Sequence, residues 1–268
     1  MKLRDWAFAV AGASAALLTY GCLYEANRLT VERRTLRLRG WKRSLSGFKI
    51  AFLSDFHLRG PYSMELAKHA VALAIDEGPD MVVLGGDLVA YWREDSEDAL
   101  AAVLEPLILM DGNVVAVPGN REYRGGTPER LRAVLDVLNV RLLRNECWHH
   151  AGINWIGIDS ANEHKADPFA ALQGATDGAA IVLWHEPDVV DTLPFEADLM
   201  LSGHSHGGQF RFPGGLTPMH SVNGRKYLSG FFPDTKVPLY VTRGVGTTGP
   251  PSRFLCPPEV SILTLVTG

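Results

Sequence analysis

The sequence predicts an α/β fold with parallel strands, and three observations predict it. Short apolar runs rich in β-branched residues, flanked by Gly or Pro, alternate with segments of helical spacing. Several of these runs end the same way, on a polar or metal-capable residue beside glycine. The chain is also 268 residues long and 46% hydrophobic, enough to bury one large core without a second folded unit.

The elements follow in order. An uncharged run, Trp6 to Tyr24, comes first. At about 1.5 Å per residue it nearly spans a bilayer core of about 30 Å. Lys2 and Arg4 precede it, while Arg28, Arg33, Arg34, Arg37, Arg39, Lys42 and Arg43 follow. That excess places the body on the cytoplasmic face of a cell inner membrane. Residues 1–27 are thus expected to be a membrane anchor, peripheral or single-pass, and 28–47 a basic juxtamembrane segment. The alternative is export through a cleaved signal, since Lys2 and Arg4 make a short basic start. Lipoprotein cleavage at Cys22 fits poorly behind bulky Tyr20, and no twin-arginine pair precedes the run.

The folded domain is expected over 48–268. FKIAFLSD (48–55) reads as a buried strand, and 64–76 as a helix. DMVVLGGD (80–87) is a second strand, and 96–110 a second helix bent or broken near Pro106. NVVAVPGN (113–120) is a third strand. Thr127-Pro128 opens the next helix, with threonine as cap and proline in the first turn. Later strands are INWIGI (153–158), AAIVLWHE (179–186), ADLMLSGH (197–204), PLYVTRG (238–244) and EVSILTL (259–265). Short length and β-branched content favour strand over buried helix in each.

Composition excludes several functions. A net charge of −4 implies no polyanion-binding surface overall. No concentrated basic groove interleaved with aromatics appears beyond residue 47, so nucleic acid is not an expected partner. No protein partner can be inferred. Cys22, Cys147 and Cys256 are far apart and form no CxxC, which argues against a disulfide framework or thiolate site. No G-x-S-x-G elbow is present for serine-hydrolase chemistry.

The strand ends carry the chemistry. They are Ser54-Asp55-Phe56-His57, Gly85-Gly86-Asp87, Gly119-Asn120-Arg121-Glu122, His185 and Gly203-His204-Ser205-His206. In α/β sheets, ligands bind beyond the carboxyl ends of the strands, so these loops can converge. Pooled, they give Asp55, His57, Asp87, Asn120, His185, His204 and His206. A mixed carboxylate, imidazole and amide set suits Mn²⁺, Fe or Zn²⁺ better than an all-oxygen Ca²⁺ cage. It is too many ligands for one Zn²⁺ and about right for two divalent ions. Such a pair, about 3.5–4 Å apart, can clamp a phosphoryl group in line.

D-x-H, then GD, then GN-[HR]-[DE], then a lone His, then GHxH resembles the signature of calcineurin-like metallophosphoesterases. The resemblance runs from about residue 48 to the C-terminus. It is nearest to a membrane-associated bacterial branch with GHSHGGQ (203–209) and a terminal RGVGTT…PPE (243–259). It implies two packed mixed β-sheets flanked by helices in four layers, with the metals at the sheet ends. It also implies Asp55, His57, Asp87 and His206 on one metal and Asp87, Asn120, His185 and His204 on the other, with Asp87 bridging and Mn the first choice of metal. A metal-binding scaffold without turnover is the alternative of another class, and the full ligand set argues against it.

Arg121 departs from the pattern, because most of the family has histidine there. Arginine is no general acid, but it binds phosphate oxygens bidentately. That suits a leaving group needing little protonation. GN-R-[DE] resembles the UDP-2,3-diacylglucosamine diphosphatases of lipid A biosynthesis, which split a pyrophosphate into UMP and 2,3-diacylglucosamine 1-phosphate. Asp87, Asn120 and Arg121 are then the catalytic candidates. A broad phosphodiesterase or a lipid phosphatase is the alternative. Phe210, Phe212, Leu216, Met219, Phe231 and Phe232 could line an acyl groove or simply pack. Arg211 and Arg253 could meet phosphates, with Arg121 and Glu122 beside them.

Overall fold

The computed structural model describes residues 5, 6, 12, 16, 17 and 19–268. These form two six-stranded mixed sheets. The first runs β1 (Thr30–Leu38), β12 (Glu259–Thr267), β2 (Phe48–Leu53), β3 (Met81–Leu84), β4 (Val114–Ala116), β5 (Arg141–Leu142). Only the β12–β2 pairing in it is antiparallel. The second runs β10 (Gly230–Phe232), β11 (Leu239–Val241), β9 (Leu199–Ser202), β8 (Ala179–Trp184), β7 (Ile153–Ile158), β6 (Glu146–His150). Its outer pairings, β10–β11 and β7–β6, are antiparallel and the inner ones parallel.

Alternation along the strands builds three apolar layers. Ile50, Phe52, Met81, Val83 and Val115 of the first sheet face Ile153, Trp155, Ile181, Leu183, Leu199 and Leu201 of the second. The intervening Ala51, Leu53, Val82, Leu84, Val114 and Ala116 face outward, onto α1 (Pro61–Asp76), α2 (Ser96–Leu104) and α3 (Pro128–Val137). Ile156, Ile158, Val182, Trp184 and Met200 face the other side, under α4 (Pro168–Ala171) and the turn Asp188–Thr192. The order is helix, sheet, sheet, helix. α1 starts on Pro61 and buries Leu66, Ala67, Ala70, Val71 and Ala74, a stripe at helical spacing. α2 stops at Leu104 because Pro106 lacks the amide a further turn needs, and a 3₁₀ run carries on to Met110.

Residues 28–47 are where the structure departs most from the sequence reading. Thr30–Leu38 is a strand of the folded domain, paired with β12 from Thr30–Glu259 to Leu38–Thr267. Its end alternates: Leu36 and Leu38 enter the inter-sheet core while Arg34 and Arg37 stay exposed. Arg33 and Arg34 pair with Glu77 and Glu32. Such exposed pairs contribute about 0–1 kcal/mol, so the two leucines decide the strand's position. The short strands β5, β6 and β10 also lack a sequence signal.

About half of the anchor expected over 1–27 lies outside the described residues. Among the described residues no helix is long and apolar enough to cross a membrane. The turn Tyr20–Tyr24 sits against residues 253–256, where the Arg253 amide donates to Gly21 O (3.1 Å) and the Cys256 amide to the buried Glu25 carboxylate (2.9 Å).

Trp155 fills the inter-sheet core and donates its indole N–H to His150 O (3.3 Å). Trp155→Ala should cost about 3–5 kcal/mol in urea denaturation, as a large buried cavity does. Leu109→Ala, at a position 77% exposed, should change stability little.

Candidate metal centre

The parallel strands β2, β3, β4, β8 and β9 end in one region, and each hands on a polar residue there. Asp55 and His57 follow β2, Asp87 follows β3 and Asn120 follows β4. His185 follows β8, and His204 and His206 follow β9. All seven are buried. Five of them, Asp55, His57, Asp87, His204 and His206, have positive φ between 48° and 67°. Left-handed backbone costs a non-glycine residue about 1–3 kcal/mol and gathers at functional sites. Asp and His tolerate it better than most residue types, and here they are the ones that occupy it. Two neighbours must be glycine. A Cβ on Gly119 would lie 2.3 Å from Asp87 Oδ1, and one on Gly203 would lie 2.2 Å from Ser54 Oγ.

The side chains form two groups, Asp55–His57–His206 and Asp87–His185–His204, with the donor atoms of each within 4.8 Å of one another. His57 Nε2 and His206 Nε2 are 2.9 Å apart, and His185 Nε2 and His204 Nδ1 are 3.2 Å apart. In the second pair carbonyls favour one tautomer of each ring, although the Asn162 side-chain nitrogen also lies 3.1 Å from His204 Nε2. His185 Nδ1 lies 2.7 Å from Gly85 O and His204 Nε2 lies 2.7 Å from Val222 O. A carbonyl only accepts, so each of these nitrogens carries the hydrogen and the facing ones are bare in the neutral rings. Two bare nitrogens at that distance repel unless a cation is between or beside them. Asp87 Oδ2 is 3.4 Å from His185 Nε2 and 3.6 Å from His57 Nε2, so it faces both groups. Asn120 Oδ1 is buried with no hydrogen-bond partner. An orphaned amide oxygen and facing bare imidazoles fit two divalent ions.

Electrostatics agree. Burial opposes the charge on Asp55 and Asp87, but the surrounding histidines hold both carboxyls well below the usual range. Burial likewise opposes a proton on His185, yet Asp87 and Asp55 hold it there well above the ordinary imidazole value. Burial pushes His206 and His204 the other way.

Supporting groups fix this arrangement. Glu122 is fully buried and accepts from the amides of Gly119 (2.7 Å), Leu88 (2.7 Å), Asp87 (3.0 Å) and Val89 (3.3 Å). It therefore ties the β3 and β4 loops together. Burial and the neighbouring Asp87 push it up to about 7, against the pull of those amides. Glu186 does the same for residues 160–162, accepting from Ser160 Oγ (2.6 Å) and the amides of Asn162 (3.1 Å) and Ala161 (3.2 Å).

A cleft of about 240 Å³ opens beside Asp87 and His204, lined also by Asn120, Arg121, Arg124, Asn162 and Val222. Arg121 donates its amide to Asp87 Oδ1 (2.8 Å), and its buried Nε has no hydrogen-bond partner, 3.8 Å from Asp87 Oδ2. The other substrate-binding expectations are corrected. Glu122 faces backbone amides, not the cleft. Arg253 is fully buried and donates to the carbonyls of Arg243, Gly244, Gly246 and Cys256, so it braces the 243–256 loop. Phe231 packs on the inter-sheet core. Arg211 binds Gly207 O (2.7 Å) and Ser229, and lines a different hollow with Lys226. Phe210 pairs by its backbone with Phe254 and does not line the cleft. Sequence analysis misses Arg124 and Asn162, which no local pattern marks. Glu186 had one signal, its place directly after His185.

Metal and proton compete for His185 Nε2, since Asp87 and Asp55 favour a proton on this ring where no ion is bound. Metal loading should therefore release a proton, and affinity should fall as pH drops. Calorimetric titration of the metal-stripped protein in buffers of different ionisation enthalpy reads this directly. Asp87→Ala should lower the bound-metal content more than any other single ligand change.

A sequence model described as calcineurin-like phosphoesterase matches residues 48–208. An uncharacterized metallophosphoesterase of Helicobacter pylori is 34% identical over 231 residues, covering 81% of this chain and 60% of that protein. The chain thus spans about 60% of the length of the Helicobacter relatives it matches. Phosphodiesterase YaeI of Escherichia coli is 32% identical over 237 residues, 86% of each chain. A Danio rerio transmembrane protein with metallophosphoesterase domain is 28% identical over 276 residues, 94% of this chain and 61% of that one. With its two groups of metal-capable side chains and the match over 48–208, the chain belongs to the calcineurin-like phosphoesterase family.

Proposed function

We propose that the chain hydrolyses a phosphoric anhydride or diester whose leaving group needs little protonation. The first candidate is the pyrophosphate of UDP-2,3-diacylglucosamine, as in lipid A biosynthesis. Arg121 carries this reading: its guanidinium stands in the cleft against Asp87, where a proton donor would be needed for a poor leaving group. Two divalent ions, when bound, supply Lewis acidity at the phosphoryl oxygens and a water acidic enough to attack near neutral pH. Manganese is the proposed ion, with iron or zinc as alternatives.

The chain's own residues do the rest. Asp87, facing both ligand groups, holds the two sites in register. His185 and His204 keep their bare nitrogens inward because Gly85 O and Val222 O favour those tautomers. Arg121 offers a fixed cation to the charge that grows on the phosphoryl oxygens, and Arg124 lines the same wall. The polar cleft suits the phosphate portion of a substrate; Phe231, half-buried, packs against the inter-sheet core, so an acyl groove built on it is not part of this proposal. A second reading, a broad phosphodiesterase, is favoured by the likeness to phosphodiesterase YaeI of Escherichia coli.

The membrane placement is likewise a proposal: a retained N-terminal segment, with the body on the cytoplasmic face. The basic residues after the apolar run support it. A mature chain beginning beyond residue 20 and recovered from an exported fraction would overturn it.

Arg121→Ala should lower kcat about 10²–10³-fold with metal content unchanged, as loss of a preorganised charge stabiliser does. Arg121→Lys keeps the charge but not the planar fork and should restore only part of the rate. Steady-state kinetics with Mn²⁺ should compare UDP-2,3-diacylglucosamine, an aryl phosphodiester and an aryl monoester. Hydrolysis of the diester with no action on the lipid would leave the second reading standing. A wild-type rate from Arg121→Ala would remove the argument for Arg121.

A further inference from the structure

The loops around the cleft mouth are unlike the rest of the surface. The chain has 30 acidic residues, yet none lies between Leu199 and Pro233 or between Leu239 and Pro258. The same loops expose large apolar side chains: Phe212, Leu216 (64% exposed), Met219, Val222 and Leu255 (52% exposed). Val222 lines the cleft, and Met219 lines an adjoining hollow that shares Arg121, His206, Ser221 and Thr248 with it. Phe212 donates its amide to Leu216 O (2.9 Å), and its ring lies 5.3 Å from that of Phe254. Phe254 meets Tyr20 edge-on at 6.2 Å, and Tyr20 lies 5.4 Å from Tyr24. An apolar series therefore connects the cleft mouth to the last turn of the uncharged N-terminal run. That turn is clamped in place by Arg253 N to Gly21 O and Cys256 N to Glu25.

We propose that the edge formed by Phe212, Leu216 and Leu255 enters a lipid bilayer and presents the metal cleft to phosphoesters at the headgroup level. The occupant is a bilayer because the uncharged run from Trp6 arrives at this edge. It is an anionic one because the flanking charges Arg28 and Arg211 are basic and neither loop contains an acid. The proposal rests on the membrane placement above and adds which face meets the lipid.

The test uses the full chain, metal-loaded, in vesicles containing phosphatidylglycerol with acyl chains brominated to quench fluorescence. A bimane label is placed at Leu216→Cys or Leu255→Cys, with Cys22→Ser and Cys147→Ser removing the partly exposed thiols. The reference label is at Leu109→Cys, just before β4 and so at the strand ends away from the metal site. Labels at 216 and 255 should lose most of their emission, and the label at 109 little. If one variant fails to fold, the other gives the same reading. Equal quenching at 216, 255 and 109 would overturn the proposal. So would a label at 216 shielded by a second copy of the chain and untouched by brominated lipid. Hydrolysis of a soluble aryl phosphodiester in the same samples reports the hydrolase reading separately.

Discussion

Buried lone pairs that face one another govern the rest of this molecule. His185 and His204 turn bare nitrogens toward a common point, two carboxylates join them, and the Asn120 oxygen has no donor of its own. Left alone, such a cluster would either take up protons or open to water. Cations resolve the conflict, and they do so only if every group is held where it would not go by itself. The strained backbone at five of the ligands and the glycines beside them are the local means of holding. Glu122 is the longer-range means, gathering amides from the loops that carry Asp87 and Asn120, while Glu186, next to His185, holds residues 160–162.

The ligands also come from both sheets. Asp55, His57, Asp87 and Asn120 leave the first sheet, and His185, His204 and His206 leave the second. Their relative position is therefore set by the inter-sheet core, by Phe52 and Val83 against Trp155, Leu183 and Leu201. Packing far from the cleft decides the distance between donor atoms within it. This links two energy terms of different kinds: burial of apolar surface, which is non-directional, positions a centre whose chemistry is strongly directional.

Much of this was legible in the sequence because it is written locally. A parallel strand that ends on Asp, Asn or His is visible in a few residues, and glycine stands beside Asp87, Asn120, His204 and His206. β1 was hidden because its charges dominate its composition. Thr30 to Arg34 resemble a basic linker, and only the spacing of Leu36 and Leu38 gives the strand away. Arg253 and Glu122 read as substrate contacts because the partners that bury them are backbone groups, which no sequence pattern names. Asn162 was unreadable for the same reason: its neighbours in the cleft, His204 and Val222, are remote in the chain.

The strand order β1-β12-β2 has a consequence for how the chain is made. β12 inserts between two strands from the opposite end of the sequence. While the chain is being synthesised, β2 must wait with one edge unpaired, and β1 has no neighbour at all, until Glu259–Thr267 has cleared the ribosome. Exposed strand edges invite association with other chains. Arg37 and Arg39, each displayed on or beside β1, and Lys49 at the start of β2 put like charges on those waiting edges. Charges so placed oppose edge-to-edge pairing of chains whose last strand has not yet closed the sheet.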